Sequence, residues 1–232
     1  MLTLYHGKTS VCSIKARLAL AEKGVDLESK LMTLRGDQFD PDYMKLNPNA
    51  VVPTLVHDGN VVIESTVIMN YVDEAFPGPA LMPGDPRARA KARMTPEERE
   101  AELAKSPDAK RSDIKRQVVA HGLDAPLVVD ALRQHEKLLD RIERAMADGP
   151  FIAGSGYSLA DAAATPYVWR LDMLKLARMW DRRPGVAAWY ERVRQRPSFN
   201  QAVTQWLNAD DFARYAKEPD PWPKVQAILK AA

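Results

Sequence analysis

Two short stretches of this chain bring together residue types that can hold and activate a small polar ligand. Ser10, Cys12 and Ser13 lie where an apolar run (Leu2 to Tyr5) gives way to turn residues (Gly7, Lys8, Thr9) and then to apolar residues at helical spacing. A helix that starts there presents unpaired N–H groups and a partial positive charge, which favour an anion such as a thiolate. A serine hydroxyl in that place adds a donor, and a cysteine adds a thiol of its own. Glu64 and Ser65 stand at a second expected helix start. Ser65 can offer its hydroxyl and backbone N–H to a carboxylate, while Glu64 can accept from an ammonium. A ligand with a thiolate, a carboxylate and an amine suits the two places together. Each residue also has a plain structural use: Ser13 as a helix cap worth about 1 kcal/mol, Cys12 as a small apolar group, Glu64 as an acid favoured by the helix dipole.

Local patterns name the elements that must carry these residues. The first strand covers Leu2 to Tyr5. A helix follows from near Ser13, with Ile14, Leu18, Leu20 and Ala21 on its apolar side and Gly24 as its stop. A strand-like run covers Ser29 to Leu34, and Asp40 caps a short helical piece with Pro41 in first position. Val51 to Val56 and Val61 to Ile63 flank Asp58-Gly59-Asn60, a strong hairpin signal. Glu64-Ser65-Thr66 then opens a helix carrying Val67, Ile68, Tyr71 and Val72, which Phe76-Pro77 ends. The order βαβαββα makes a compact α/β unit of thioredoxin type. Pro53, just ahead of a strand, has no donor. A cis Val52-Pro53 peptide, freeing the Val52 backbone for a ligand, and an ordinary trans proline on an edge both satisfy this stretch.

Pro77, Pro79, Pro83, Gly84 and Pro86 cluster as a linker. The expected domains are therefore a thioredoxin-like unit at 1–79, a linker at 80–86 and an all-helical unit at 87–232. Residues 87–116 are rich in Lys and Arg and read as a solvated helical face, with a capping box at Thr95-Pro96-Glu97-Glu98. Ala125 to Met146 is an amphipathic helix with Leu127, Leu132, Leu138, Leu139 and Ile142 facing inward. Ser158-Leu159-Ala160-Asp161 is a capping box with Asp in place of Glu, a folding element rather than a chemical one. Pro184 to Arg196 is a further helix, stopped by Pro197.

Composition excludes several classes. The 232 residues allow one large domain or two small ones, and 33 Lys and Arg against 31 Asp and Glu leave a net charge of +2. Nucleic acid is therefore not the expected main partner. Charged residues interrupt every apolar run before it reaches membrane-spanning length. MLTLYHGKTS lacks the pattern of a secretory signal, and one cysteine excludes an internal disulfide. The expectation is a soluble cytoplasmic protein. Its four histidines are scattered, so no metal is expected, and neither a phosphate-binding glycine loop nor a nucleophile elbow is present.

Taken in order along the chain, several stretches resemble the glutathione transferase family. They are Leu2-Thr3-Leu4-Tyr5, Ser10-Val11-Cys12-Ser13, Asn47 to Pro53, Glu64 to Ile68, Tyr157 to Asp161 and Arg196-Pro197-Ser198-Phe199. The resemblance spans essentially the whole chain. It implies glutathione as co-substrate, a hydrophobic electrophile as second substrate, and a homodimer. Carried residue by residue, it implies that the Val52 backbone pairs with the cysteinyl part of glutathione ahead of a cis Pro53. Glu64 and Ser65 then hold the γ-glutamyl group, and Arg35 reaches the glycine carboxylate. At the catalytic position three residues compete. Cys12 matches the cysteine of bacterial beta-type enzymes. Ser13 matches the serine of the bacterial β-aryl-etherase-like group, and Ser10, with the loop counted another way, the place of theta-type serines or omega-type cysteines. Asn47 to Phe76 is similar to the etherase-like group, but Cys12 stands where that group has asparagine. The implied function is thiol activation for attack on a small electrophile. The alternatives are β-aryl-ether cleavage or thiol-disulfide chemistry through Cys12, and a non-catalytic interaction protein that keeps the fold.

Overall fold

The opening apolar run makes a strand two residues longer than its hydrophobic part, β1 at Leu2–Gly7. A computed structural model describes residues 1–85, 89, 117–118 and 120–231. The expected capping box at 95–98 and most of the basic stretch lie outside these residues. Strand β2 (Glu28–Met32) runs parallel to β1, a pairing that needs a crossover, and helix α1 (Val11–Lys23) supplies it. Helix α2 (Pro41–Leu46) starts as expected, with the Asp40 carboxylate accepting from the Asp42 N–H at 2.8 Å. Strands β3 (Thr54–His57) and β4 (Asn60–Ile63) form the hairpin, with φ of 49° at Asp58 and 84° at Gly59. Left-handed backbone at both turn positions matches the strand twist, which is why Asp-Gly is favoured there. The sheet order is β2-β1-β3-β4, and helix α3 (Ser65–Ala75) follows. This is the thioredoxin-like arrangement expected.

Beyond it the described residues are helical: α4 (Pro126–Ala145), α5 (Leu159–Met173), α6 (Pro184–Arg194), α7 (Pro197–Ala202), α8 (Ala209–Lys217) and α9 (Trp222–Ala231). The Ser158/Asp161 capping box opens α5, and Pro197 both stops α6 and starts α7. Helix α1 is the joint of the molecule. One side packs on α3 and the other on α5 and α7, so Ile14, Ala16, Leu18, Ala19 and Leu20 are all buried.

Three readings are corrected. Helix α1 begins at Val11, not near Ser13, because the Ser10 hydroxyl caps the Ser13 N–H. The run Val51 to Val56 is a strand only from Thr54, since Pro53 cannot donate to a ladder. Leu127 faces outward, 41% exposed. It lies five residues before Leu132 and twelve before Leu139, about 140° and about 120° around the helix from them.

Candidate functional site

Four loops at one end of the sheet enclose a cleft of about 270 Å³. Its walls are the turn from β1 into α1 (Ser10, Cys12), the segment after β2 (Leu34, Gln38), the stretch before β3 (Ala50 to Pro53) and the start of α3 (Glu64, Ser65). The two chemistry-bearing stretches of the sequence thus meet across one space.

At the α1 end Ser10 is the N-cap. Its Oγ accepts from the Ser13 N–H at 3.3 Å, and its carbonyl from the Ile14 N–H at 2.9 Å. The N–H groups of Val11 and Cys12 remain as the free donors of that helix end. Because the Ser10 oxygen is already an acceptor, its own O–H is left to donate. Cys12 is a free, half-buried thiol in the same first turn. Ser13 is elsewhere: fully buried, with its Oγ accepting from the Gly7 N–H at 3.0 Å. A helix start shifted by two residues turns Ser13 into the interior and leaves Ser10 at the wall. A Cβ at Gly7 would stand 2.7 Å from Leu34 Cδ1, so a side chain there would displace the leucine that lines the cleft.

On the facing side the Val52-Pro53 peptide is cis, the conformation that the family resemblance implied. A buried polar group braces it. The Val51 carbonyl accepts from Tyr43 Oη at 2.5 Å and from Asn47 Nδ2 at 2.9 Å, while Thr54 Oγ1 lies 2.9 Å from each of those groups. Burial pushes the Tyr43 phenol above its ordinary value, so it stays a donor. With the Val51 carbonyl held inward, the Val52 backbone borders the cleft.

Glu64 precedes α3 with φ of 69° and makes no capping bond. Ser65 is 2% exposed, and its Oγ is buried with no hydrogen-bond partner. A buried hydroxyl without a partner costs about 1–3 kcal/mol, so a binding partner would repay it. Leu34, Ala50 and Glu64, all lining the cleft, have φ of 59°, 49° and 69°. For residues with a Cβ this is strained backbone, of the kind that clusters at ligand sites.

Of the residues named from sequence, Ser10, Cys12, Val52, Pro53, Glu64 and Ser65 come together. Ser13 and Arg35 do not: Arg35 is exposed and outside the lining. Sequence reasoning missed Leu34, Gln38 and the bracing pair Tyr43 and Asn47. Asn47-Pro48 was a turn signal for that brace, whereas Gln38 carries no local signal. Among the described residues no group of three or more His, Cys, Asp or Glu is placed to hold a metal ion.

Comparison with known proteins agrees with this arrangement. Residues 1–74 match the family model "Glutathione S-transferase, N-terminal domain", and residues 100–192 match "Glutathione S-transferase, C-terminal domain". The chain is 33% identical to the tetrachloro-p-hydroquinone reductive dehalogenase of Sphingobium chlorophenolicum, over 87% of this chain and 95% of that protein. It is 32% identical to a stringent starvation protein A homolog of Pasteurella multocida, over 88% of this chain and 90% of that one. The crystal structure of the beta-etherase LigF from Sphingobium sp. strain SYK-6 superposes with a TM-score of 0.71 at 26% identity, covering 88% of this chain and 99% of that one.

Proposed function

Because the chain belongs to the glutathione S-transferase family, we propose that its cleft binds glutathione and activates the thiol for attack on a small hydrophobic electrophile. The γ-glutamyl carboxylate sits on the Ser65 hydroxyl and N–H, and its ammonium on Glu64. The cysteinyl backbone pairs with Val52, and the sulfur reaches the start of α1. The division into a glutathione-binding unit at 1–79, a linker at 80–86 and a helical unit at 87–232 is part of the same proposal. The observation that carries it is the buried, unpartnered Ser65 hydroxyl beside the strained Glu64.

A free thiol with pKa about 8.5 is only a few per cent thiolate at neutral pH. One charge-assisted hydrogen bond of about 1.5–3 kcal/mol, at about 1.36 kcal/mol per pKa unit, lowers that value by roughly one to two units. The Ser10 O–H, with the Val11 and Cys12 N–H groups beside it, is the donor set for that bond. Ser10 therefore takes the activating role in this reading, and Ser13 a structural one.

A second reading rests on Cys12, whose half-buried thiol lines the same cleft. There the Cys12 thiolate attacks a disulfide substrate and expels one thiolate, and glutathione, the reductant, resolves the mixed disulfide by a second exchange. The reductive dehalogenase relative and the beta-etherase neighbour make reductive and ether-cleaving reactions the specific alternatives.

Calorimetric titration with glutathione tests the common premise, and absence of binding returns the chain to the non-catalytic class. For a panel of electrophiles including chlorodinitrobenzene, a β-aryl ether and hydroxyethyl disulfide, Ser10→Ala is expected to retain binding and lose about tenfold or more in turnover. Full activity in Ser10→Ala refutes the activating role. A trapped Cys12–glutathione disulfide, with loss of turnover in Cys12→Ala, selects the second reading.

A further inference from the structure

The thiol end of the cleft is built on a loop, Gly7 to Ser10, whose backbone is held from behind by guanidinium groups. Arg17, midway along α1, is 5% exposed. It donates from Nε to the Ala202 carbonyl at 2.7 Å, and from one terminal nitrogen to the Gly7 carbonyl and to His6 Nδ1, both at 2.9 Å. Its other terminal nitrogen donates to the Lys8 carbonyl at 3.0 Å. Four of the five guanidinium donors are thus engaged, each on a neutral acceptor. Since arginine can only donate, His6 Nδ1 must accept, and the imidazole proton sits on Nε2, facing Ser29 Oγ at 2.6 Å. Burial and the Arg17 charge hold His6 down at about 4, so the ring is neutral. Burial lowers Arg17 only to about 9, so it remains a cation.

The rest of the loop is fastened to the helical half. Arg170, on α5, donates to the Thr9 carbonyl, and the Lys8 ammonium pairs with Asp211 on α8. The Trp206 ring lies against both the Arg17 guanidinium (5.2 Å) and the His6 ring (4.6 Å). Three successive carbonyls, at Gly7, Lys8 and Thr9, therefore rest on two arginines immediately before the residue whose hydroxyl lines the cleft.

We infer that Arg17, assisted by Arg170, is a positioning residue for thiol activation. Together they set the Gly7–Ser10 loop so that the Ser10 hydroxyl and the α1 start meet the glutathione sulfur, and they tie that loop to the segment 202–211. The inference rests on the glutathione reading above. A lysine at 17 keeps the charge but concentrates its three donors on one nitrogen, so it cannot span four acceptors arranged around a planar fork.

Arg17→Lys and Arg170→Lys, each beside the unsubstituted protein, test this. Glutathione affinity is measured by titration, and the pKa of the bound thiol by its thiolate ultraviolet absorbance. Turnover is followed against pH with the electrophile the unsubstituted protein accepts. Arg17→Lys is expected to bind glutathione within about threefold, because Glu64, Ser65 and Val52 are untouched. Its bound-thiol pKa rises by about one unit, with about a three- to eightfold loss of kcat at neutral pH that recovers as pH is raised. A folded Arg17→Lys with an unshifted thiol pKa and pH profile overturns the inference, even if its melting temperature falls. Should Arg17→Lys fail to fold, the half-buried Arg170 decides: a smaller displacement in the same direction in Arg170→Lys supports the inference, and none overturns it. Absence of glutathione binding by the unsubstituted protein defeats the underlying reading and this inference with it, an outcome distinct from normal binding with an unshifted thiol.

Discussion

Replacing Ser65 with alanine should make the free protein more stable and the liganded one weaker. In the structure the Ser65 Oγ is buried with no partner, a state that costs about 1–3 kcal/mol relative to a satisfied or absent hydroxyl. Removing the oxygen leaves a cavity smaller than a water molecule, so most of that cost is recovered. Taking the low end, Ser65→Ala gains about 1 kcal/mol, which for a chain of this size raises the melting temperature by about 2–4 °C. The same oxygen, donating to a bound carboxylate, makes a charge-assisted hydrogen bond of about 1.5–3 kcal/mol. Its loss weakens glutathione by about 10- to 150-fold. Differential scanning calorimetry without ligand and isothermal titration with glutathione measure the two halves on the same preparation. A variant that melts lower and binds as well as the parent would show that Ser65 is a structural hydroxyl, and the ligand geometry proposed for α3 would fall with it.

Three further outcomes are expected. Glu64→Gly relieves left-handed backbone (φ 69°) worth about 1 kcal/mol, so its melting temperature should not fall, whereas its glutathione affinity drops about tenfold or more; a destabilised, fully binding variant contradicts this. His6 has a folded pKa of about 4 against an ordinary 6.5, so between those values the unfolded chain binds more protons and stability rises with pH. Its contribution of up to about 3 kcal/mol is present above about pH 6.5 and lost as pH falls towards 4. Urea midpoints at about pH 7 and about pH 5 should therefore converge in His6→Asn, and equal pH slopes in parent and variant reject the assignment. Asp161 accepts from the Ile152 and Ser158 N–H groups at 2.9 Å and from Ser158 Oγ and Trp189 Nε1 at 2.8 Å. Asp161→Ala strands these buried donors and should cost about 3–5 kcal/mol, lowering the melting temperature by roughly 10 °C without changing glutathione affinity; weakened binding in the folded variant would move Asp161 out of the purely structural class.

What this chain declares in its sequence is whatever short-range physics controls. Asp58-Gly59 specifies its hairpin because few other residues accept left-handed backbone at both turn positions. Asp40-Pro41, Ser158 with Asp161, and Gly24 mark helix ends through bonds within a few residues. From such signals the strand and helix order, and with it the thioredoxin-like unit and the helical remainder, could be read. So could the approximate places of Ser10, Cys12, Val52, Pro53, Glu64 and Ser65.

Which of those groups line the cleft depends on packing. Ser10, Cys12 and Ser13 are nearly equivalent as sequence, yet a helix turns by about 100° per residue, so a two-residue change in where α1 begins decides which hydroxyl is buried. The Ser10 cap marks that start locally, but the burial of Ser13 follows from α1 packing against α3 and the helical half at once, a condition no local window contains. Leu127 was misplaced for the same reason. The isolation of the Ser65 hydroxyl depends on what surrounds it in space. The hold of Arg17 on the Gly7–Ser10 loop joins residues 185 positions apart through the Ala202 carbonyl. Local geometry wrote the elements and the neighbourhood of the site into the chain. The facing of its side chains, and the bonds between the helical half and the Gly7–Ser10 loop, exist only once distant segments exclude water from one another.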